Sequence, residues 1–167
     1  VATYFGDLAT VIERPLSTTS WAYPKDAGEY YGFDPAKALD YFKAAGYEQK
    51  TNGSRTTLEK DGKQLALEIA IGGDGTMNHP TAPVLTQMKT ELEKMGAVLN
   101  ITDCDTSVLF DKMNAGEWDM WTAAWSATPD PNLYQLYHSQ GTTNHYRIKN
   151  EELDKLIEEG RSTNDIE

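Results

Sequence analysis

Residues 65–104, LALEIAIGGDGTMNHPTAPVLTQMKTELEKMGAVLNITDC, decide the fold class. The run LALEIAI (65–71) alternates large aliphatic and other residues, which predicts a strand with one apolar face. The run TAPVLTQMKTELEKMG (81–96) repeats apolar residues at helical spacing and closes on a glycine, and AVLNITDC (97–104) predicts a second strand. A strand, a helix and a strand in this order are typical of an α/β fold.

The same alternation continues downstream. We predict a helix over 105–116, a strand over 117–125, a short helix over 130–139 and a last helix from Asn150. The order strand, helix, strand, helix, strand therefore predicts an α/β fold in which helices pack on a mixed sheet, with right-handed crossovers where strands run parallel.

Upstream, local signals define two further elements. Asp34 is an N-cap and Pro35 takes the first helical position of a helix that ends at Gly46. The pair Asp61-Gly62 between two alternating runs predicts a β-hairpin. We predict a single domain over 1–167, in which 1–33 is a loop-rich segment and 34–167 is the α/β core.

Composition limits the classes of function. The chain has 167 residues, 39% of them hydrophobic, and a formal charge of −11, which argues against binding to a nucleic-acid backbone. No run approaches the length of a membrane-spanning helix. The sequence begins at Val1 without Met and ends just after a predicted helix, so we expect it to be part of a longer polypeptide.

Candidate catalytic and metal-binding residues form no recognisable pattern. The three histidines (His79, His138 and His145) and the lone Cys104 lack the spacing of a metal site. No nucleophile elbow surrounds Ser126, and the glycines of IGGDGTMNHP predict a flexible strand-to-helix turn rather than a phosphate loop. We therefore predict a protein that is not an enzyme and has no cofactor and no bound metal.

Aromatic residues in the predicted loops are better candidates for a binding site. Trp21, Tyr23 and Tyr146 fall outside core spacing, and Asn144 lies beside Tyr146 as a polar candidate. Loop aromatics beside small polar groups offer apolar area and a polar handle to a ligand. The alternative is that they pack the long loops onto the sheet.

The run 117–125 contains three tryptophans, for which we predict two different environments. Trp118 and Trp121 lie inside the predicted strand, and we expect them to pack in the core. Trp125 lies where the strand leaves the sheet, a position at which ligands bind in such folds. We predict that Trp125 faces a cleft.

Five stretches resemble family 5 of the extracellular solute-binding proteins. They are RPLSTTSWAY (14–23), GFDPAKALDYFKAAGY (32–47), APVLTQMKTELEKMGAVLNI (82–101), NAGEWDMWTAAWSATPDPN (114–132) and TTNHYRIKNEELDKLIEEG (142–160). The matches follow the order and spacing of the family's motifs over nearly the whole chain.

The resemblance implies the binding component of an ABC importer for oligopeptides, dipeptides or nickel. It implies a fold of two lobes that close over a ligand, with this chain forming most of the C-terminal lobe and 1–33 lying near the hinge. The implied partners are a peptide or small-solute ligand and the ABC permease subunits, with no nucleic acid. The implied protein is a monomer at the extracellular face of the cell membrane or in the periplasm, and it meets the membrane only through a lipid anchor on an N-terminal part that this sequence lacks.

The resemblance also implies site residues. In peptide-binding members, the Trp after the strand and the small residue that follows it line the cleft, and Trp125 and Ser126 match these positions. Thr128 stands where the family has an Asp that holds the amino terminus of the ligand, and Asp130 is the nearest carboxylate. A neutral hydroxyl at Thr128 cannot supply a charge-assisted hydrogen bond, which argues against a peptide held by its free amine.

The sequence leaves both the ligand and the function with alternatives. The ligand is an oligopeptide, a dipeptide or another small solute. The alternative function is a receptor-like sensor or interaction module that reuses the same fold without transport.

Overall fold

The computed structural model describes residues 5–12, 14–24, 32–126 and 131–163. The chain divides into two compact units. Unit 1 consists of Val1–Glu13 and Ala27–Ala124, and unit 2 consists of Arg14–Asp26 and Trp125–Glu167. The single domain over 1–167 stays a prediction.

The described part of unit 1 alternates strands and helices, as expected. After a 3-10 turn at Gly6–Leu8, the elements are α1 (Pro35–Ala44), β1 (Glu48–Asn52), β2 (Arg55–Lys60), β3 (Lys63–Gln64), β4 (Ala66–Ile71), α2 (Ala82–Met95), β5 (Val98–Asp103), α3 (Thr106–Ala115) and β6 (Met120–Trp121).

The strands of unit 1 form two sheets of different sense. In one sheet β1, β2 and β3 are antiparallel, and in the other β4 lies between β5 and β6 and is parallel to both. Leu65 connects them, because its N–H donates to Leu58 O (2.7 Å) in β2 and its carbonyl accepts from Val98 N (2.8 Å), the first residue of β5. The α/β class is confirmed. The parallel and antiparallel strands that we predicted in one mixed sheet lie in two separate sheets.

Local sequence signals account for the ends of several elements. The Asp34 carboxylate accepts from Lys37 N (2.9 Å) and caps α1, with Pro35 at its start. Asp61 and Gly62 have φ values of 51° and 74°, the two positive angles that a two-residue type I′ hairpin needs. The predicted helix and the predicted hairpin are both confirmed.

The core of unit 1 lies between α2 and the strands. Leu58, Ile71 and Leu99 are fully buried. Around them lie the other buried members of the same cluster, namely Leu65, Ile69, Ala82, Leu85, Leu92 and Ala97. Aliphatic residues at alternating strand positions and at helical spacing on α2 thus meet in one cluster, which is the arrangement that the periodicity predicted.

Two elements differ from the prediction. The strand β1 was not expected, because its residues EQKTN are all exposed and carry no apolar alternation. The predicted strand over 117–125 is a strand only at Met120–Trp121. Its start is displaced because the side chain of Asp119 accepts from Glu68 N (2.9 Å), an amide that a longer strand could have bound through its backbone.

Unit 2 contains the helices α4 (Tyr134–Tyr137) and α5 (Glu151–Ser162). Asn150 caps α5, as predicted, by accepting from Glu152 N and Leu153 N, both at 3.0 Å. The predicted helix over 130–139 is reduced to the four residues of α4, and its proposed N-cap Asp130 lies outside the described residues. Within the described residues, no helix has the length and hydropathy to cross a membrane.

Candidate functional site

The carboxyl edge of the parallel sheet is the first candidate site. The strands β4, β5 and β6 end there at Ile71, Asp103 and Trp121. In open α/β sheets, ligands bind in the crevice outside the carboxyl ends of the strands. A ligand is therefore expected at the segments that follow these strands.

The turn after β4, residues 72–80, is fastened to the end of β5 by Asp103. Gly73 N donates to Asp103 Oδ1 (2.6 Å) and Met77 N donates to Asp103 Oδ2 (2.5 Å). Burial raises the pKa of the Asp103 carboxyl, but the N–H donors of Met77, Gly73 and Gly75 outweigh it, so the pKa lies below its ordinary value. The sequence predicted a flexible turn here, and a residue 30 positions further along the chain anchors it.

Titratable side chains at this edge show no metal-binding cluster. Burial, followed by the charges of Asp103 and Asp105, raises the pKa of the Cys104 thiol, which disfavours the reactive thiolate. Among the described residues, no three His, Cys, Asp or Glu side chains are placed to hold a metal ion.

The segment after β6 carries the predicted cleft residues Trp125 and Ser126. Both are exposed, and Trp125 shows 55% of its surface. Trp118, in contrast, is half-buried, donates from Nε1 to Leu109 O (3.3 Å) and lies under the Lys112 ammonium at 4.7 Å. Trp121 is half-buried as well. The other two predicted residues of this segment, Thr128 and Asp130, lie outside the described residues.

Unit 2 contains a cavity of about 700 Å³ beside α5. Trp21, Leu153 and Leu156 are among its mainly apolar walls, and Arg161 contributes a cation that also lies 4.4 Å from the ring of Tyr134. The predicted residue Trp21 lines this cavity. Tyr23, Asn144, Tyr146, Trp125 and Ser126 are not among its described lining residues.

Asn144 is engaged by the backbone of its own loop. Its Nδ2 donates to His138 O (3.0 Å) and to Ile148 O (2.8 Å), and its Oδ1 accepts from Ile148 N (3.1 Å). Two residues later, the half-exposed ring of Tyr146 stacks on Tyr137 at a centroid distance of 5.5 Å. Asn144 thus shapes the loop that presents Tyr146.

His138 is a buried polar residue that the sequence did not single out as important. Gln140 N donates to its Nδ1 (3.0 Å), so the proton of the neutral ring lies on Nε2, which donates to Glu158 Oε1 (3.2 Å) on α5. The ring also stacks on Tyr134 at 4.1 Å. These contacts fix α4 against α5, and no motif spacing could have revealed them.

We expect Asn144→Ala to lower the free energy of unfolding by about 1–3 kcal/mol, because it removes the side chain that bonds both the half-buried N–H and the half-buried carbonyl of Ile148. Asn132→Ala is the matched control, since among the described residues Asn132 accepts one exposed hydrogen bond, from Tyr134 N. Urea denaturation checks both variants. Equal losses would contradict a special role for Asn144.

The comparison with family models identifies one family. The family model described as "Bacterial extracellular solute-binding proteins, family 5 Middle" matches residues 1–146. Among curated proteins, none matches the chain significantly. Among solved structures, the oligopeptide-binding protein AppA from Bacillus subtilis, in complex with a nonapeptide, is similar with a TM-score of 0.74 and 29% identity, over 90% of this chain and 30% of that chain.

Two further structures share the fold. NikZ from Campylobacter jejuni, in complex with Ni(L-His), is 24% identical with a TM-score of 0.65, over 82% of this chain and 28% of that chain. A nickel ABC transporter protein from Bacillus halodurans is 22% identical with a TM-score of 0.71, over 92% of this chain and 31% of that chain. The chain thus spans less than a third of the length of each of these proteins.

Proposed function

The chain belongs to the bacterial extracellular solute-binding proteins of family 5, and we propose that it forms most of one lobe of an ABC importer's peptide receptor. The observation that carries the proposal is the family match over residues 1–146. The short coverage of the solved relatives supports the assignment to part of a two-lobed protein.

A peptide is the ligand class that the comparisons favour. The 29% identity is to a protein solved with a nonapeptide, whereas the nickel-related structures are less than 25% identical and indicate the fold alone. In this proposal the chain binds a ligand and catalyses no reaction. The binding energy comes from closure of two lobes over the ligand.

The remaining partners and the location follow from the same proposal. The receptor delivers its ligand to ABC permease subunits, works as a monomer, and lies at the extracellular face of the cell membrane or in the periplasm. It is held there by a lipid anchor outside this sequence. The residues proposed to contact the ligand are Trp125, Ser126, Thr128, Asp130, Asn144, Tyr146, Trp21 and Tyr23.

Mass spectrometry of the small molecules released from the purified, intact receptor tests the ligand class. We expect peptides. Release of a different solute, with no peptide, would overturn the proposal. A strain lacking the receptor should also lose uptake of the identified peptides, and unchanged uptake would favour a sensor that binds without transport.

Trp125→Ala should weaken peptide binding by about 1–3 kcal/mol and leave the melting temperature nearly unchanged, because an exposed indole contributes apolar area to the ligand rather than to the core. Calorimetric titration and thermal unfolding measure the two effects.

Trp118→Ala is the control for this prediction. It makes the same side-chain change at a half-buried ring with a hydrogen bond to Leu109 O, so it should lower stability and spare affinity. If Trp125→Ala lowers the melting temperature and leaves affinity unchanged, Trp125 does not line the cleft.

A further inference from the structure

We propose that Asp103 is a positioning residue for ligand binding, which holds the turn of residues 72–80 in the conformation that meets the ligand. This inference rests on the proposed function and names a residue that the family resemblance did not. We call the contact of Asp103 with residues 73–77 the Asp103 latch.

The Asp103 latch uses both oxygens of one carboxylate. Oδ1 accepts from Gly73 N, and Oδ2 accepts from Met77 N. The turn is closed further by Asp74 N, which donates to Cys104 O (3.3 Å), and by Thr76, whose N and Oγ1 both donate to Gly73 O. A carboxylate that accepts several amide N–H groups forms charge-assisted bonds, which are stronger than neutral ones.

The turn is built to admit this carboxylate. A Cβ placed on Gly73 would lie 2.7 Å from Asp103 Oδ1 and 2.8 Å from Oδ2, so a residue with a side chain would displace the carboxylate from the turn. Glycine is therefore needed at position 73 because the Asp103 side chain approaches the backbone closely, and not because the backbone adopts an unusual angle.

The turn also holds two non-glycine residues in the left-handed region. Asp74 has φ 54° and Met77 has φ 53°, values that L-residues adopt rarely. Such conformations persist only where the surrounding structure imposes them, and they concentrate at ligand-binding sites. In this conformation Met77 N donates to Asp103, so the latch bonds one of the two residues that hold a left-handed angle.

The position of the turn gives the latch its role in binding. The turn leaves the carboxyl end of β4, the central strand of the parallel sheet, and Asp103 is the last residue of the neighbouring strand β5. Ligands of open parallel sheets bind at this edge. The side chain of Met77 is exposed by 42%, so the latch fixes an adaptable apolar group at the surface where a ligand is expected.

Three variants test the latch in the intact receptor. Asp103→Asn removes the charge and replaces one acceptor oxygen with an NH₂ group that faces amide donors. Gly73→Ala breaks the same contact from the side of the turn with no change of charge. Asp105→Asn is the matched control, because it removes the same charge two residues further on, from a side chain that makes no capping bond to its helix.

Amide hydrogen exchange of residues 73–77 and affinity for a synthetic pool of random nonapeptides are measured at a temperature where every variant is folded. In both Asp103→Asn and Gly73→Ala, the amide hydrogens of residues 73–77 should exchange faster than in the wild type. Affinity for the nonapeptide pool should fall at least about tenfold, because the charge-assisted bonds that hold the turn are lost. Asp105→Asn should match the wild type in both measurements.

Faster exchange with unchanged affinity would show that the latch only stabilises the fold, and unchanged exchange would show that it does not hold the turn. Either result overturns the inference. If Asp103→Asn does not fold, Gly73→Ala decides by the same criteria. If the wild type itself binds no nonapeptide, both the proposed function and the positioning role fail. If the wild type and Asp103→Asn bind nonapeptides equally well, only the positioning role fails.

Discussion

Gly96→Ala should lower the free energy of unfolding by roughly 2–5 kcal/mol, the sum of a left-handed backbone penalty and the strain of an overpacked site. Gly96 ends α2 with φ 94°, and a Cβ there would lie 2.6 Å from the backbone of Thr57 in β2. The carbonyl of Gly96 also accepts from Leu58 N (2.8 Å) and from Gln64 Nε2 (2.8 Å), so a shift to relieve the clash would stretch both bonds.

Gly53→Ala is the matched control for Gly96→Ala. Gly53 also has a positive φ, 61°, but a Cβ there would meet no atom within 4 Å. The control should therefore show only the backbone penalty, about 1–2 kcal/mol. Urea denaturation followed by circular dichroism measures both variants, and equal losses would contradict the close approach of α2 to β2.

The second large effect is expected for Leu99→Ala, which should lose about 2–5 kcal/mol of stability. Leu99 is fully buried in β5 and belongs to the cluster that includes Leu58, Ile69 and Ile71. Truncation removes apolar contacts and leaves a cavity that the surrounding strands and α2 fill only in part.

Leu8→Ala is the control for Leu99→Ala, because Leu8 is 94% exposed and the same atoms are removed from the surface. Its effect should stay within about 0.5 kcal/mol. A loss at Leu99 no greater than the loss at Leu8 would mean that β5 does not form the centre of the core.

Those parts of the fold that depend on near neighbours in sequence could be predicted. The turn at Asp61-Gly62 and the caps at Asp34 and Asn150 involve residues within three positions of one another, so their chemistry is visible in the letters. The strand β1 could not be predicted, since its exposed polar residues pair only with β2 and carry no periodic signal.

Contacts between distant residues account for the other differences. The side chain of Asp119 accepts a hydrogen bond from Glu68 N, 51 positions earlier in the chain, and thereby shortens β6. The Asp103 latch likewise joins residues 30 positions apart. At the candidate site, Trp125 is exposed and its place in a cleft stays a prediction, whereas the bonds that occupy Asn144 could not be read from the sequence.

Calorimetric titration of the intact receptor with random nonapeptides, compared with the nickel–histidine complex, tests the peptide-receptor proposal most directly. The account predicts saturable heat with the peptides and none with the nickel complex. Saturable binding of the nickel complex without any binding of peptides would contradict it.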